Sequence, residues 1–488
     1  MNKFIKFLDN SIFKFWIIFC SLLFCIGLFI KAMYNMDDSP YFVQNGIWDI
    51  VALLFVSACY LLIFYFAKKI EKIPYIVLWI VFGAVACAFV ILVPLKAFSD
   101  MKYVKDGALM ISNLDFLGIK KSEYLQYIAK NLKVSLVYGI LDFFLPKSEI
   151  ALKIINVFFY LISVHFVSKI AVNFKFPYPK TLFIAIASFI PLILYCNHIY
   201  FDYPTFCFSL VAIYFYTKAR TPKNMFLSAV FIGLAYSLRV LAGIFIVAVV
   251  VDYIFHYWKK LFENKCKKLG VLILYVMIIV FVTKGIDSFV NANFRTPNAQ
   301  DEPIWTMFWM GINEEEFGMM HNEIYEGPEQ FSDFYNLLIS RTPKEDVCLF
   351  SKKIYWTWTQ GTYQSQRYGF GLDTLKESNK FEYHTCLTSH LLLDNQILRR
   401  WINRIARAQY MMWFLFMILG MCLTKKEGYY KYRIFTYSMF GTFLILIFYE
   451  MKSRYVFHCI ICMAVLACVF LEHIAEKNKQ NSISSENV

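Results

Sequence analysis

The sequence predicts an all-α polytopic membrane protein with about twelve transmembrane helices (eleven to thirteen). Three observations predict this class. The 488 residues are 59% hydrophobic with a mean hydropathy of +0.50, more than a soluble core absorbs. Apolar windows long enough to cross about 30 Å of hydrocarbon recur along the chain. Clusters of lysine and arginine separate these windows and carry most of the formal net charge of +14, so the charge indicates membrane topology rather than nucleic-acid binding.

The apolar windows also predict the orientation of the chain. The first window follows Lys3, Lys6 and Lys14 and precedes no small-residue cleavage site, so we expect a retained helix rather than a signal peptide. Cations follow every even-numbered window, which places both termini in the cytoplasm. The windows are residues 15–32, 50–67, 75–97, 150–171, 181–199, 204–218, 224–238, 241–257, 269–287, 408–424, 433–449 and 455–472.

This orientation places two long segments on the outer side and defines the expected domains. The outer loop 100–149 lies within a membrane module, residues 1–287, and its apolar stretch 132–145 is short enough to predict an interfacial or re-entrant helix. Residues 288–407, rich in tryptophan and tyrosine, predict a small helical outer domain. C-terminal membrane helices (408–475) and a polar tail (476–488), expected to be disordered, complete the chain.

Asp100 is the first candidate for chemistry. It follows Ser99 at the outer end of the third window and precedes Lys102, Lys105 and Asp106. At a dry interface the pKa of a carboxyl group is raised by desolvation and lowered by nearby cations, which can tune it to take a proton from a hydroxyl group. An aspartate that only marks the water boundary explains the position more simply.

Five segments at predicted outer ends of spans carry charged or aromatic residues. They are Ser99-Asp100, residues 145–157, Asn197-His198-Ile199-Tyr200-Phe201-Asp202-Tyr203-Pro204, Tyr236-Ser237-Leu238-Arg239-Val240-Leu241-Ala242-Gly243 and Glu450-Met451-Lys452-Ser453-Arg454-Tyr455. Their order over about residues 75–475 resembles the GT-C superfamily of membrane glycosyltransferases. The carboxylate stands in Ser99-Asp100 instead of an Asp-Glu doublet like that of the protein O-mannosyltransferases, and two spans precede the one that carries Asp100, which leaves the subfamily open.

The resemblance implies a function. GT-C enzymes take a sugar from a lipid donor, usually a polyprenyl-phosphate monosaccharide, and use an aspartate or glutamate of the first large outer loop as the catalytic base. The resemblance therefore implies inverting glycosyl transfer, with Asp100 as base, to a cell-envelope glycan, glycolipid or protein. The expected place is the outer side of a bacterial inner membrane. No cofactor is expected, because His321, His384 and His390 show no spacing typical of a metal site. A requirement for a divalent metal stays open.

Arg239 and Arg454 are the candidates to hold the donor phosphate. A guanidinium offers a planar fork that matches phosphate oxygens and stabilises a departing phosphate. The alternative for each arginine is snorkelling to the headgroups or pairing with an acid such as Glu450. Asp202 and Glu450 could orient the acceptor or hold an arginine, although Asp202 also fits a helix N-cap. Tyr455 and Lys102 complete the supporting residues.

Aromatic residues of the outer domain are candidates for stacking on the acceptor sugar. The same composition is typical of an aromatic girdle at the membrane interface, and both interpretations stay open. Cys348 and Cys386 share this segment, and a disulfide between them depends on a separation that sequence does not give. The stacking candidates are Trp305, Trp309, Trp356 and Trp358.

Two other functions fit a many-spanned chain with a large outer segment. A surface-polysaccharide polymerase that uses pyrophosphate-linked oligosaccharides would rely on outer arginines such as Arg341, Arg367 and Arg399. A lipid-linked sugar flippase or other transporter would show paired halves and charges near the middle of the membrane, and neither pattern is evident in the sequence.

Overall fold

The computed structural model describes residues 3–34, 40–261, 266–297, 299, 305–312, 318, 331–371, 380–393 and 395–486. The structure is 80% helical, as predicted for an all-α membrane protein. It adds one feature that the sequence did not predict, an antiparallel hairpin of β1 (Ile30–Tyr34) and β2 (Pro40–Gln44). The hairpin follows the first helix and pairs Ile30 with Gln44.

The helices follow the apolar windows and also fill the segments between them. In the first part of the chain they are α1 (Lys3–Gly27), α2 (Ile47–Tyr65), α3 (Ala67–Ile70), α4 (Tyr75–Leu92), α5 (Asp100–Ser112), α6 (Phe116–Lys121), α7 (Glu123–Tyr127), α8 (Ala129–Asp142), α9 (Glu149–Asn173), α10 (Pro179–Ala187), α11 (Ile190–Leu194), α12 (Asp202–Lys218), α13 (Pro222–Leu238), α14 (Gly243–Tyr257) and α15 (Lys267–Phe294). The later helices are α16 (Trp305–Gly311), α17 (Phe331–Ser340), α18 (Pro343–Thr359), α19 (Ser365–Phe370), α20 (Thr388–Leu391), α21 (Ile397–Leu423), α22 (Arg433–Phe448) and α23 (Ile460–Glu486). Short 3-10 turns cover Tyr195–Asn197, Val240–Ala242, Lys426–Tyr432 and Ser453–Cys459.

The count of possible membrane spans is lower than predicted. Among the described residues, eight helices are long and apolar enough to cross a membrane, or nine if the pair formed by α10 and Ile190–Asn197, bent by 61°, is one span. The windows 204–218, 224–238 and 433–449 fold as α12, α13 and α22, which have 17, 17 and 16 residues. Such helices rise only about 24–26 Å at about 1.5 Å per residue, short of about 30 Å of hydrocarbon. The predicted count of about twelve spans is therefore not confirmed.

The break between α10 and α11 is stabilised by a side chain from another helix. Pro191 in the first turn of α11 has no backbone N–H to continue the ladder. Gln409 on α21 accepts a hydrogen bond from the backbone N–H of Ile190 at 2.8 Å and donates one to the carbonyl of Ser188 at 2.7 Å. Both polar groups at the break are thereby satisfied, as a bend surrounded by apolar side chains requires.

Burial separates central helices from peripheral ones. The apolar windows of α21 and Ser453–Glu476 are each 78% buried, and that of α9 is 67% buried. Those of α2, α4 and α15 are only 17–22% buried and expose many large apolar side chains. Helices of the second kind are suited to face lipid, whereas those of the first kind form the core against which the loops are positioned.

The two segments predicted to form the outer parts are helical and pack on the bundle. Residues 100–142 form α5 to α8, with the predicted short helix appearing as α8. In the later segment, Lys353 on α18 is fully buried and donates to the carbonyls of Gly311 and Ile447 at 2.6 and 2.9 Å. The final helix, α23, extends to Glu486 and so into residues 476–488, for which the sequence predicts a disordered tail.

Asn156 on α9 holds the turn that carries the next candidate residues. It is fully buried, its amide donates to the carbonyls of Cys196 and His198 at 3.3 and 2.8 Å, and it accepts a hydrogen bond from Tyr138. Tyr138 also donates to the carbonyl of Tyr200 at 3.0 Å. The backbone from residue 196 to residue 200 is thus fixed by side chains of α8 and α9.

We expect Asn156→Ala to lower the stability of the protein by about 1–3 kcal/mol, because it leaves buried carbonyls and a hydroxyl without partners. Thermal unfolding in detergent measures the change. Asn293→Ala is the matched control, since that exposed side chain donates only to the carbonyl of Phe289 in its own helix. Equal unfolding temperatures for Asn156→Ala and the unchanged protein would contradict the role of Asn156.

Candidate functional site

Asp100 begins α5 at a strained turn. Ser99, directly before it, has φ 50° and ψ −140°, a backbone conformation normally reserved for glycine. Such a conformation costs on the order of 1–3 kcal/mol and persists only where the surrounding structure imposes it. The turn redirects the chain between α4 and α5 and fixes the start of the helix that carries the carboxylate.

Two tyrosines hydrogen-bond the Asp100 carboxylate. Tyr124 donates its hydroxyl hydrogen to Oδ1 at 2.6 Å, and Tyr200 donates to Oδ2 at 3.0 Å. Asn131 in turn donates to the Tyr124 hydroxyl at 2.8 Å. Burial raises the pKa of Asp100. The opposing effects are larger, and they come from the Tyr124 hydrogen bond, the positive charges of Arg454 and Lys452, and the Tyr200 hydrogen bond. The pKa of Asp100 therefore lies below its ordinary value. Asp100 is therefore ionised at neutral pH.

Arg454 is a buried cation inside a cage of aromatic rings. The residue is 7% exposed, and its guanidinium lies 5.5–5.7 Å from the centres of four rings, those of Tyr200, Phe201, Tyr368 and Tyr455. It donates one hydrogen bond, from Nη1 to the Tyr368 hydroxyl at 3.0 Å. Within the described part of the chain, the buried Nε has no partner and no carboxylate oxygen lies within 4.0 Å of the guanidinium. The rings favour the charge without neutralising it.

Arg239 lies against the same aromatic rings. Its guanidinium is 4.7 Å from the centre of Phe201 and 5.0 Å from that of Tyr455, two rings that also contact Arg454. Unlike Arg454, it forms an ion pair, with Nη1 at 2.9 Å from Oδ1 of Asp202. The structure therefore brings both guanidiniums to one aromatic cluster, and Tyr200 connects this cluster to Asp100.

His198 adds a neutral ring to the cluster. It stacks on Tyr368 with 3.9 Å between ring centres, and its Nδ1 lies 3.3 Å from Oδ2 of Asp202, without hydrogen-bond alignment. Burial, followed by the charges of Arg454, Arg239 and Arg367, lowers the pKa of His198 well below its ordinary value. The imidazole therefore adds no further positive charge.

Glu450 is occupied by partners other than the arginines. Its Oε1 lies 2.6 Å from Nζ of Lys452, and Tyr455 donates its hydroxyl hydrogen to the same carboxylate. Burial raises the pKa of Glu450, but Lys452 and Tyr455 lower it more, so it is ionised at neutral pH. The alternative in which Arg454 pairs with Glu450 does not match this geometry.

The four tryptophan candidates lie in different environments. Trp356 and Trp358 are 0% and 2% exposed, with the Trp356 indole N–H donating to the carbonyl of Met33 at 2.7 Å and the Trp358 ring packing against Trp16. Their rings are core residues and are not presented for stacking on a sugar. Trp305 and Trp309 on α16 are partly exposed. The predicted supporting residue Lys102 is exposed on α5.

The arginines expected of a polymerase have internal roles. Arg341 forms an ion pair with Asp346 at 2.7 Å, and Arg399 donates to the carbonyls of Leu391, Leu392 and Gly371. Arg367 lies near His198, whose pKa it lowers.

Two further sequence predictions concern the cysteines and a metal. Cys348 and Cys386 are exposed free thiols, so the structure contains no disulfide between them. Among the described residues no group of three or more potential metal ligands occurs, and His321 lies outside them.

The site residues that sequence analysis missed are mostly tyrosines, which are uncharged and numerous in this chain. Tyr124, Tyr200 and Tyr368 supply the hydroxyl groups that contact Asp100 and Arg454. The chain has 33 tyrosines, so only the position of Tyr200 two residues before Asp202 could have signalled a role. Lys452, which lies between Glu450 and Arg454 in the quoted motif, was also missed.

No family model, no curated protein and no solved structure matches this chain significantly.

We expect Tyr124→Phe to destabilise the protein at neutral pH by about 1.5–3 kcal/mol, because it removes a hydrogen bond to an ionised carboxylate. Since the folded-state pKa of Asp100 is lowered, its stabilisation is present above the unfolded-state pKa and is lost as the pH falls through the folded-state pKa. The difference in the free energy of unfolding between Tyr124→Phe and the unchanged protein should therefore become smaller at acidic pH. Unfolding in detergent across the acidic range measures it.

The matched control is Tyr103→Phe. Tyr103 stacks on Tyr124 with 3.9 Å between ring centres and is 41% exposed, whereas among the described residues the hydroxyls that donate to Asp100 are those of Tyr124 and Tyr200. A stability loss in Tyr124→Phe that stays constant with pH would show that the hydroxyl does not act through Asp100.

Proposed function

We propose that this chain is a membrane glycosyltransferase of the GT-C type. It moves a monosaccharide from a polyprenyl-phosphate donor to a hydroxyl group of a cell-envelope glycan, glycolipid or protein. The single observation that carries the proposal is the cluster in which ionised Asp100 and the buried Arg454, which has no carboxylate partner among the described residues, both contact Tyr200. A proton acceptor at the hydroxyl of a tyrosine and a phosphate-binding cation over its ring are what such a transfer needs.

Arg454 is the primary donor-phosphate residue in this proposal. A guanidinium has five N–H donors, and in Arg454 one of them is used in a hydrogen bond to Tyr368. The remaining donors suit the oxygens of a phosphate diester, and the ring cage keeps water from competing with it. Arg239 adds a second positive charge, and Asp202 fixes its orientation through their ion pair.

Asp100 is the general base. As the acceptor oxygen forms a bond with C1 of the sugar, Asp100 takes the hydroxyl proton. The bond from C1 to the phosphate oxygen breaks, and its electron pair leaves with polyprenyl phosphate. Each carboxylate oxygen accepts one hydrogen bond from a tyrosine and keeps lone-pair capacity for the acceptor hydroxyl. A base with a lowered pKa is weak, which suits a transition state with oxocarbenium character, where the proton moves late.

The placement in the cell follows from the sequence. The basic clusters favour a multi-pass protein with both termini in the cytoplasm and the Asp100 end outside, and the resemblance to GT-C enzymes favours the bacterial inner membrane. In this arrangement α5 to α8 lie at the membrane interface and cover the donor, and the segment from α16 to α20 selects the acceptor. Trp305 and Trp309 remain its candidates for stacking on a sugar. No metal is required by the proposed steps.

We expect Asp100→Asn to lower the turnover by about 10²–10⁴-fold, because the amide cannot accept the proton. Purified protein is incubated with several polyprenyl-phosphate monosaccharides and a crude envelope acceptor, and transfer of labelled sugar is measured. The matched control is Asp106→Asn on the same helix, where the carboxylate pairs with Lys105 at 3.2 Å. Equal turnover by Asp100→Asn and the unchanged protein would remove Asp100 from the mechanism.

We expect Arg454→Gln to weaken the binding of polyprenyl phosphate, the product, by about 10–100-fold, since hydrogen bonds to a charged group contribute about 1.5–3 kcal/mol. Binding is measured by titration of the detergent-solubilised protein, independently of turnover. Arg404→Gln is the control, because Arg404 lies over Trp401 and near Asp49, away from the ring cage. Undiminished binding by Arg454→Gln would contradict the phosphate role and would favour a transporter or a polymerase.

A further inference from the structure

A large basic pocket lies at the opposite end of the helix bundle from Asp100. Its volume is about 880 Å³, and it is lined by residues of α1, of the end of α14, of the 3-10 turn Lys426–Tyr432 and of the start of α22. Helix α22 begins in this pocket at Arg433 and ends two residues before Glu450. Its length of about 24 Å separates the pocket from the aromatic cluster. The pocket is therefore a separate site that the proposed mechanism does not use.

Positive charges from four segments converge on this pocket. Among the described residues that line it, six are cations and one is a carboxylate, that of Asp9. The Asp9 carboxylate is occupied, since it accepts two hydrogen bonds from Arg433 at 2.6 and 2.7 Å and one from Tyr437 at 3.2 Å. The cations are Lys3, Lys6, Lys259, Lys260, Lys426 and Arg433.

The five lysines of the pocket are available to a ligand. All five are exposed, and within the described chain none of them lies within 4.0 Å of a carboxylate oxygen. Arg433 differs from them, because it is buried and bound to Asp9 and to Asp252, so it forms a rigid floor. Lysines that surround a cavity without acidic partners favour an anion, and their flexible ammonium groups suit phosphate oxygens.

Aromatic rings give the pocket an apolar part. Trp258, Tyr429 and Tyr430 are among the lining residues, and they lie where apolar helices end. Tryptophan and tyrosine beside lysines at helix ends are typical of the zone in which lipid headgroups lie. Basic residues elsewhere, such as Lys68 and Lys69 at the end of α3, do not line this pocket, so a general excess of positive charge does not explain the convergence.

We propose that this pocket binds the phosphate headgroup of an anionic membrane lipid. The lysines contact the phosphate, and the aromatic rings contact the glycerol and the first part of the acyl chains. The sequence predicts this end of the bundle to be cytoplasmic, and anionic lipids are enriched in the cytoplasmic leaflet. The shared chemistry is a phosphate anion, which a lipid or a soluble phosphate compound can supply.

The test is a binding titration of the detergent-solubilised full chain with dioctanoyl phosphatidylglycerol. We expect Lys259→Gln combined with Lys260→Gln to weaken binding about thirtyfold, from about fivefold for each lysine. The pair Lys259→Arg and Lys260→Arg should retain binding, because it keeps the charge. The matched control, Lys68→Gln with Lys69→Gln, should bind within about twofold of the unchanged protein, because those lysines lie outside the pocket. Thermal unfolding checks that each variant is folded.

Two further ligands identify the source of the phosphate. Dioctanoyl phosphatidylcholine, with the same chains and no net charge, should bind weakly. Competition by inorganic phosphate as effective as that of the lipid would support the anion site and assign it to soluble phosphate compounds instead. Unchanged affinity in the Lys259 and Lys260 glutamine variant, or an equal loss in the control pair, would overturn the proposal. Because the assay measures binding alone, its result is independent of glycosyl transfer.

Discussion

Two opposite charges, the partly buried carboxylate of Asp100 and the buried guanidinium of Arg454, lie near each other without forming an ion pair, and the candidate site depends on their separation. Tyr200 lies between them, with its hydroxyl on the carboxylate and its ring face toward the guanidinium. The neighbouring charges are already paired, as Arg239 with Asp202 and as Lys452 with Glu450. A direct ion pair would satisfy both groups, whereas the tyrosine hydrogen bonds and rings stabilise each charge and leave hydrogen-bonding capacity on both groups.

Polar side chains on central helices hold this arrangement in place. The chain changes direction between residues 188 and 202, in a mostly buried stretch where carbonyl and N–H groups without partners would be costly. Gln409 satisfies the break before α11, and Asn156 binds the carbonyls at 196 and 198. Asn197 donates to the carbonyls of Val93 and Gly369, which ties the turn to α4 and α19. Tyr200 can face Asp100 because these amides fix the backbone on either side of it.

The sequence allowed charged candidate residues to be selected, but it did not allow their uncharged tyrosine partners to be selected. Asp100, Arg239 and Arg454 could be selected because a charge at the predicted outer end of an apolar window is costly to desolvate. Their tyrosine partners could not, because Tyr124 and Tyr200 are 24 and 100 residues from Asp100 and only the fold brings them together. Hydropathy similarly located the apolar windows but not the ends of the helices within them, so windows that fold as helices of 16 and 17 residues were included in the predicted count of spans. Composition also gave no sign that Trp356 and Trp358 are buried.

The two phosphate sites that we propose rest on different physics. Arg454 is desolvated and held by rings, so its interaction with a phosphate is strong, directional and little affected by salt. The pocket lysines are exposed on flexible stems, and charges of that kind are screened over about 8 Å at physiological ionic strength. Helices α14 and α22 each run from one site to the other. In these proposals, the reactive lipid-linked sugar donor binds at the rigid Arg454 site. The abundant anionic lipid, which exchanges with the bilayer, binds at the flexible lysine pocket.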